Sequence, residues 1–449
     1  MRPLVVLLIV FSFSGCFADI KLESCQTQGD CPEAQRLCKD GLCFHHSAEF
    51  PLGLCGADDG RSACCNAHED GFGNDGDCEV FNVGAGASTL SDPVRCGRGY
   101  VCYTTIEADS INLVRKSLTL DGGDLTVPLP DLDLMGINPL SPPMYAAGST
   151  VIVAADRVLS VDTAGTVAVR SFSGTRTGAP AFCSDGTVWV ATEQNLLEID
   201  SAGNEQVLGV AAGKLDPALG PIVHTASHRI ILPVQGGAAA AFLDSSMKEH
   251  ALLGMMGSSE LPGGLLGMAL EQEGMAFLVS RGGTVRGVDL AIYPLDTNNW
   301  SSSLQDDDLV AGPILISSTH LAVAGASGNV YLFSQAKRHQ PGVAATVPGI
   351  RALVPLQWNG FALMAQGAQG GELVTAVDHR SFPWLPEWFG LKLTFSDRLC
   401  NDGAIASVGQ DGVLVVRCGD QLTGLIIPEV TPVEAPWPTP RGPGRSGCL

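Results

Sequence analysis

Short apolar segments recur from about residue 138 to the end of the chain, and turns rich in Gly, Asp and Asn separate them. Residues 149–162 and 185–200 both show an apolar run, a turn and a second apolar run that ends in Asp. Their β-branched residues favour strands, and pairs such as Asp-Gly and Gly-Asn suit hairpin turns that need positive φ. Helical periodicity is scarce here. The pattern therefore predicts repeated antiparallel hairpins.

The hairpins recur at a spacing of roughly forty residues, which is typical of β-propeller blades. Five later copies occupy residues 228–237, 274–289, 320–333, 360–367 and 402–416. One such sheet cannot bury both of its faces, whereas closure into a ring gives every sheet two neighbours. A β-sandwich would not need a shared unit. We predict an all-β chain with a seven- or eight-bladed β-propeller over residues 138–449, the eighth blade being built partly from the preceding connector, 104–137.

Most of the 15 cysteines lie before this connector. They are Cys25, Cys31, Cys38, Cys43, Cys55, Cys64, Cys65, Cys78, Cys96 and Cys102. Residues 19–103 are too few and too loop-rich to build a large core, so disulfides are expected to replace it. The sequence leaves their pairing open. We predict a small disulfide-rich loop domain that precedes the propeller.

Four further cysteines lie in the repeat region. Cys400 and Cys418 bracket one hairpin unit, so they are predicted to join strands of the same blade. By elimination, Cys183 is then paired with Cys448.

The N-terminus has the pattern of a secretory signal, assigned to residues 1–18: a positive start, an apolar run and small residues before Cys16. The run is too short to span a bilayer core of about 30 Å. Residues 13–16 resemble a bacterial lipobox with Phe13 in place of the usual Leu, which would make Cys16 the lipidated residue. Ordinary cleavage after Ala18 is the alternative. We expect an outer-membrane or cell-surface lipoprotein, or a periplasmic or secreted protein if Cys16 is not lipidated.

The net charge of −21 disfavours two classes of partner, nucleic acids and anionic lipid surfaces. Nucleic-acid phosphates require clustered Lys and Arg, so a nucleic-acid partner is not expected. An acidic protein is also repelled by anionic lipid, which leaves the N-terminal lipid anchor as the expected membrane contact. Acidic side chains concentrate at Asp70, Asp75, Asp77 and Glu79, where carboxylates and a glycine-rich loop could hold Ca²⁺. The EF-hand spacing is absent, and a solvated acidic loop is the alternative.

Two segments carry a family resemblance. Residues 180–191 read Pro-x-x-x-x-x-Gly-Thr-Val-x-Val-Ala, and residues 420–424 read Asp-x-x-Thr-Gly, with weaker versions of that turn at 162–165 and 200–203. These motifs resemble pyrroloquinoline-quinone-like (PQQ-like) propeller repeats. That group includes quinoprotein dehydrogenases and an outer-membrane-assembly scaffold lipoprotein, so the resemblance implies a propeller and either redox catalysis or scaffolding.

The residues favour scaffolding over catalysis. The vicinal pair Cys64–Cys65 lies before the propeller, and the calcium ligands, Asp base and Trp floor of a quinoprotein are not recognisable. Hydrolase, metalloprotease and phosphate-loop motifs are also absent from the sequence. We therefore predict no enzyme activity, no catalytic residue and no cofactor; quinone-dependent dehydrogenase activity ranks third among the functions considered.

A cluster of aromatic residues marks a candidate binding surface. Trp384, Trp388 and Phe389 lie close together in a chain that is only 6% aromatic, and such residues are enriched in recognition cores. Local packing over a blade edge is the alternative. We expect a non-catalytic envelope or secreted scaffold that binds a protein partner; binding of carbohydrate or another small ligand at the propeller funnel is the second hypothesis.

Overall fold

The computed structural model describes residues 36–39, 42–45, 79–83, 88–97, 100–129, 141–426 and 447–449, with short gaps inside the longer ranges. Two units are distinguished, residues 1–49 and 50–449. The described part of the first unit is one antiparallel hairpin of β1 (Arg36–Lys39) and β2 (Leu42–His45). The backbones of Cys38 and Cys43 lie opposite each other in this hairpin.

The second unit is built from sheets of antiparallel strands, and the described residues form eight of them. Sheet 1 contains β4 (Ser88–Leu90), β5 (Val94–Arg95), β6 (Tyr100–Glu107), β7 (Ser110–Ser117) and β8 (Leu125–Pro128). Sheet 2 contains β9 (Met144–Ala146), β10 (Ser149–Val153), β11 (Arg157–Val161) and β12 (Val167–Ser171). Sheet 3 contains β13 (Ala181–Phe182), β14 (Val188–Ala191), β15 (Asn195–Ile199) and β16 (Glu205–Gly209). Sheet 4 contains β17 (Ile222–His224), β18 (Arg229–Val234), β19 (Ala239–Asp244) and β20 (Leu252–Met256).

The later sheets repeat this plan. Sheet 5 contains β21 (Leu265–Leu270), β22 (Met275–Ser280), β23 (Thr284–Asp289) and β24 (Asp296–Ser303). Sheet 6 contains β25 (Leu309–Ser317), β26 (His320–Gly325), β27 (Asn329–Ser334) and β28 (Gly342–Thr346). Sheet 7 contains β29 (Ile350–Leu356), β30 (Gly360–Gly367), β31 (Gly370–Asp378) and β32 (Trp388–Ser396). Sheet 8 contains β33 (Ala404–Ser407), β34 (Val413–Cys418), β35 (Gln421–Ile426) and β3 (Glu79–Val83).

The sheets stand side by side, and one strand of each sheet lies innermost. Strands β5, β9 and β13 touch in succession, as do β17, β21, β25, β29 and β33, and β33 returns to β5. Apolar side chains fill the space between neighbouring sheets: Leu196 of sheet 3 and Leu232 of sheet 4 share one buried cluster. The contacts therefore run around a ring in which each sheet covers the next.

Burial falls from the inside of each sheet to the outside. All four residues of Val188–Ala191, the second strand of sheet 3, are buried. The residues of Val167–Ser171, the last strand of sheet 2, are half-buried or exposed. Because the inner strands are covered on both faces, they are continuous apolar runs in the sequence, whereas the outer strands are mixed.

Sheet 8 is assembled from two distant parts of the chain. Strand β3 pairs with β35 as its outermost strand, with Phe81 opposite Gly424 and Val83 opposite Leu422. Sheet 1 follows at once along the chain. The ring therefore contains strands from the segments that the sequence prediction assigned to the cysteine-rich module, 19–103, and to the connector, 104–137. The reason is that an outermost strand must cover the open edge of β35, and residues 79–83 supply it.

A tight turn at residues 162–166 explains one instance of the Asp-x-x-Gly pattern of the sequence. Asp162 Oδ1 accepts hydrogen bonds from the backbone N–H groups of Ala164 and Thr166, each at 2.8 Å. Gly165 has φ 86°, a conformation that glycine adopts without strain. The N–H donors, that of Thr166 above all, hold the pKa of the Asp162 carboxyl below its usual value. The carboxylate is thus part of the turn.

Candidate functional site

The last described residues of the chain, 447–449, line the inner side of sheet 4; we call them the tail strand. They run parallel to β17, with Cys448 opposite Val223. Val223 donates its N–H to the carbonyl oxygen of Gly447 and accepts the N–H of Leu449, both at 2.9 Å. The N–H and the Oγ1 hydroxyl of Thr225 both donate to the carbonyl oxygen of Leu449, also at 2.9 Å. The tail strand is therefore an added strand on the innermost edge.

A disulfide fastens the tail strand to the neighbouring sheet. Cys448 is bonded to Cys183, the residue that follows β13, with a Cα–Cα distance of 5.1 Å. This confirms the pairing inferred by elimination. Cys183 is 1% exposed and Cys448 is 7% exposed, so the bond is buried. Leu449 packs against the core cluster that contains Ile222. The tail strand is thus bound by backbone, disulfide and apolar contacts.

The turn at the end of β17 is held by His224. Its Nε2 lies 3.2 Å from the carbonyl oxygen of Gln272 and its Nδ1 lies 2.6 Å from Ser227 Oγ. A carbonyl oxygen only accepts, so Nε2 carries the hydrogen and Nδ1 accepts the Ser227 hydroxyl. The imidazole is 5% exposed and ties sheet 4 to the first turn of sheet 5. It fixes the turn that contains Thr225.

A second candidate surface lies on the outside of the ring. Large apolar side chains are exposed on the outermost strands of consecutive sheets: Val169 of β12 is 46% exposed, Val207 of β16 is 46% exposed, and Leu252 and Met255 of β20 are each 41% exposed. We call these four residues the apolar rim. Val343 of β28, in sheet 6, is also exposed, at 53%.

The sequence-predicted site residues are not gathered in one place by the described structure. Trp388 and Phe389 begin β32, the outermost strand of sheet 7, where their backbones lie opposite Asp378 and Val377. Glu79 begins β3. Cys16, Trp384, Asp70, Asp75 and Asp77 lie outside the described residues.

The cysteines are partly accounted for. Cys96 and Cys102 form a disulfide within sheet 1, with a Cα–Cα distance of 5.6 Å. Cys418 is disulfide-bonded, while Cys400, its predicted partner, lies outside the described residues. The described residues also do not include Cys25, Cys31, Cys55, Cys64, Cys65 and Cys78.

Within the described residues, no group of three or more His, Cys, Asp or Glu side chains is arranged to hold a metal ion. In that same part of the chain, no helix is both long and apolar enough to cross a membrane.

Comparisons with known proteins establish the fold. No family model matches the chain, and no curated protein matches it. The C-terminal WD40 domain of Sif2 has a TM-score of 0.55 at 11% identity, over 76% of this chain and 98% of that one. The computationally designed Ika8 protein has a TM-score of 0.55 at 13% identity, over 78% of this chain and 100% of that one. The chain is an all-β protein of the β-propeller class.

The tail strand is the feature that sequence reasoning missed. Residues 447–449 carry no strand pattern, and Gly447 would ordinarily indicate a turn. The one usable signal was Cys448, because a disulfide to Cys183 requires the end of the chain to reach sheet 3. Its parallel pairing with β17 depends on tertiary contacts alone.

Proposed function

We propose that this protein is a non-catalytic scaffold that binds a protein partner in the cell envelope or outside the cell. The observation that carries the proposal is the apolar rim on sheets 2, 3 and 4. Large contiguous apolar patches mark sites of protein association, and the proposal takes these four residues as parts of one such surface. Propeller domains commonly bind protein partners, which agrees with this assignment.

The geometry of the outermost strands supports a protein over a small ligand. Strands β12, β16 and β20 each present one edge without a paired strand in the described sheets, and such edges offer N–H and C=O groups to a partner. A protein can contact several strands at once, whereas a sugar or other small molecule needs a concave pocket. On sheet 4 the edge of β17 is already paired with the tail strand.

The proposal includes export and an N-terminal anchor. Cys16 is the proposed lipidation site, and labelled palmitate should enter the protein but not a Cys16→Ser variant. Quinone, Ca²⁺ and other cofactors have no role in the proposed function.

Crosslinking in the producing cells, followed by affinity capture and mass spectrometry, tests the proposal. We expect one protein to be recovered repeatedly with the natural chain. Its recovery should fall at least fivefold when Val169, Val207 and Leu252 are all changed to Ser. The control is Val343→Ser, which changes an even more exposed valine on sheet 6 and should leave recovery unchanged. Recovery of abundant, unrelated proteins alone would contradict the scaffold function. Equal recovery of the partner with the triple variant and with Val343→Ser would show that the apolar rim is not the binding face.

A further inference from the structure

We propose that the inner edge of β17 is a recognition site for an extended peptide segment, and that the tail strand occupies it as a tethered substitute for that segment. The proposal deepens the scaffold function and rests on it for the existence of a protein partner. It adds a second contact site, distinct from the apolar rim, and states what the partner must present there.

The first step is the backbone pairing. Val223 both donates to and accepts from the tail strand, and Thr225 adds two donors at its end. Addition of a strand to an open sheet edge is a recurring mode of peptide recognition, in which main-chain hydrogen bonds provide affinity. The edge of β17 would form the same hydrogen bonds with a segment from another protein.

The second step is the requirement for particular side chains. Leu449 packs against the core cluster that contains Ile222, so the site accepts an aliphatic residue where the pairing ends. Gly447 has φ 67°, in the left-handed region that favours glycine. The segment recognised should therefore read Gly-x-aliphatic.

The third step is control of access. While Cys448 is bonded to Cys183, the tail strand is held at a local concentration of about millimolar or higher, as for other short tethers. A partner segment competes only after the bond is broken. An external dithiol can break it: the dithiol is oxidised to a disulfide, and the two cysteine sulfurs each gain one electron and one proton. Because both cysteines are buried, the structure around the bond must open locally before the dithiol can reach a sulfur atom.

A peptide-binding experiment tests the site directly. The probe is a fluorescent peptide of residues 441–449 carrying Cys448→Ser, and its anisotropy is followed with three proteins: the natural chain, full-length Cys448→Ser, and a chain shortened after Ser446. We expect saturable binding to the shortened chain, apparent affinity at least tenfold weaker for full-length Cys448→Ser because its own tail competes, and no binding to the natural chain without reductant. A probe that also carries Leu449→Asp should lose at least tenfold in affinity.

Two results would overturn the proposal. The first is that the probe does not bind a shortened chain whose cooperative unfolding shows that it is folded. The second is that the probe with Leu449 and the probe with Leu449→Asp bind equally well. If the shortened chain does not fold, a full-length protein with Cys448→Ser and Leu449→Asp replaces it. This variant keeps all residues of the tail, but the carboxylate introduced at position 449 is excluded from the apolar site, so the edge of β17 is left open for the probe. The two proposals fail separately. Loss of peptide binding leaves capture through the apolar rim intact, and the triple rim variant, when it is likewise shortened after Ser446, should still bind the probe.

Discussion

Arg417 and Asp92 form an ion pair that joins the last sheet of the ring to the first. Arg417 Nε lies 2.9 Å and its Nη2 lies 2.7 Å from Asp92 Oδ1. Arg417 belongs to β34, and Asp92 lies between β4 and β5. The two side chains are 12% and 27% exposed, so solvent screens the pair only partly.

This pair should contribute measurably to stability. Changing Arg417 to Met removes two charged donor contacts from the partly buried Asp92 carboxylate, and we expect the free energy of unfolding to fall by about 1–3 kcal/mol. Chemical denaturation measures the change. The control is Arg157→Met, because the contact of Arg157 with Asp156 is long, at 3.5 Å, and more exposed. The free energy of unfolding of that variant should fall by less than about 0.5 kcal/mol. Equal losses in the two variants would show that the Arg417–Asp92 pair has no special role in closing the ring.

The disulfide between Cys183 and Cys448 should stabilise the fold more than the one between Cys96 and Cys102. The first closes a sequence separation of 265 and the second a separation of 6. In the chain-entropy treatment these loops correspond to about 5.6 and about 2.2 kcal/mol. We therefore expect the Cys183→Ala–Cys448→Ala variant to unfold at lower denaturant than Cys96→Ala–Cys102→Ala. The reverse order would show that the tail strand constrains the chain little.

The Asp162 and Asp200 turns predict acid sensitivity. The pKa of Asp162 is lowered, chiefly by the N–H of Thr166, and that of Asp200 is lowered, chiefly by the side chain of Asn204. A carboxyl whose folded pKa is depressed contributes stability above its unfolded pKa of about 4 and loses it as the pH falls through the lower, folded pKa. Thermal midpoints should therefore drop below about pH 4. The Asp162→Asn variant keeps an oxygen acceptor and should show a shallower drop; an unchanged pH profile would contradict this account.

Gly267 should tolerate no side chain. A Cβ there would lie 2.7 Å from both the carbonyl oxygen of Gly312 and Cδ of Pro313, at the contact of sheets 5 and 6. We expect Gly267→Ala to lower the free energy of unfolding by about 1–3 kcal/mol. Gly254 of β20 has open space around its Cβ position, so Gly254→Ala is the matched control and should be nearly neutral or slightly stabilising. Similar losses in both variants would remove the steric explanation.

The aromatic segment gives a prediction about binding. We expect Trp384→Ala and Trp388→Ala to lower partner recovery in the crosslinking experiment while the thermal midpoint stays unchanged, since aromatic side chains dominate recognition cores. Lower stability with unchanged recovery would favour local packing over a blade edge. Trp388 begins β32, the outermost strand of sheet 7.

The repeat units were predictable from local pattern. Residues 185–200 were assigned to one hairpin, and the structure pairs Val188–Ala191 with Asn195–Ile199 there. Such pairing follows from strand propensity and a tight turn, which neighbouring residues encode. The position of β3 was not predictable in this way, because its partner β35 lies near the other end of the chain. An outermost strand with one open face also carries a weaker apolar pattern.

The candidate surfaces depended even more on tertiary structure. Val169 and Val207 are ordinary strand residues in the sequence, and only the ring shows that both lie on outermost strands. The tail strand likewise follows no periodicity, and its hydrogen bonds involve backbone groups that every residue carries. Sequence patterns report which side chains should be buried; they do not report which edge a short segment will pair with.

The split origin of sheet 8 has a consequence for biogenesis. Sheets 2 to 7 are each continuous in sequence and can form one after another during synthesis. Strand β3, in contrast, can pair only after β35 has been synthesised. Long-range strand pairing is slow, and an open edge attracts other chains while it waits. The growing protein therefore carries an unpaired strand β3 until almost all of the chain has been synthesised, which makes the interval before closure the period when a chaperone is most needed.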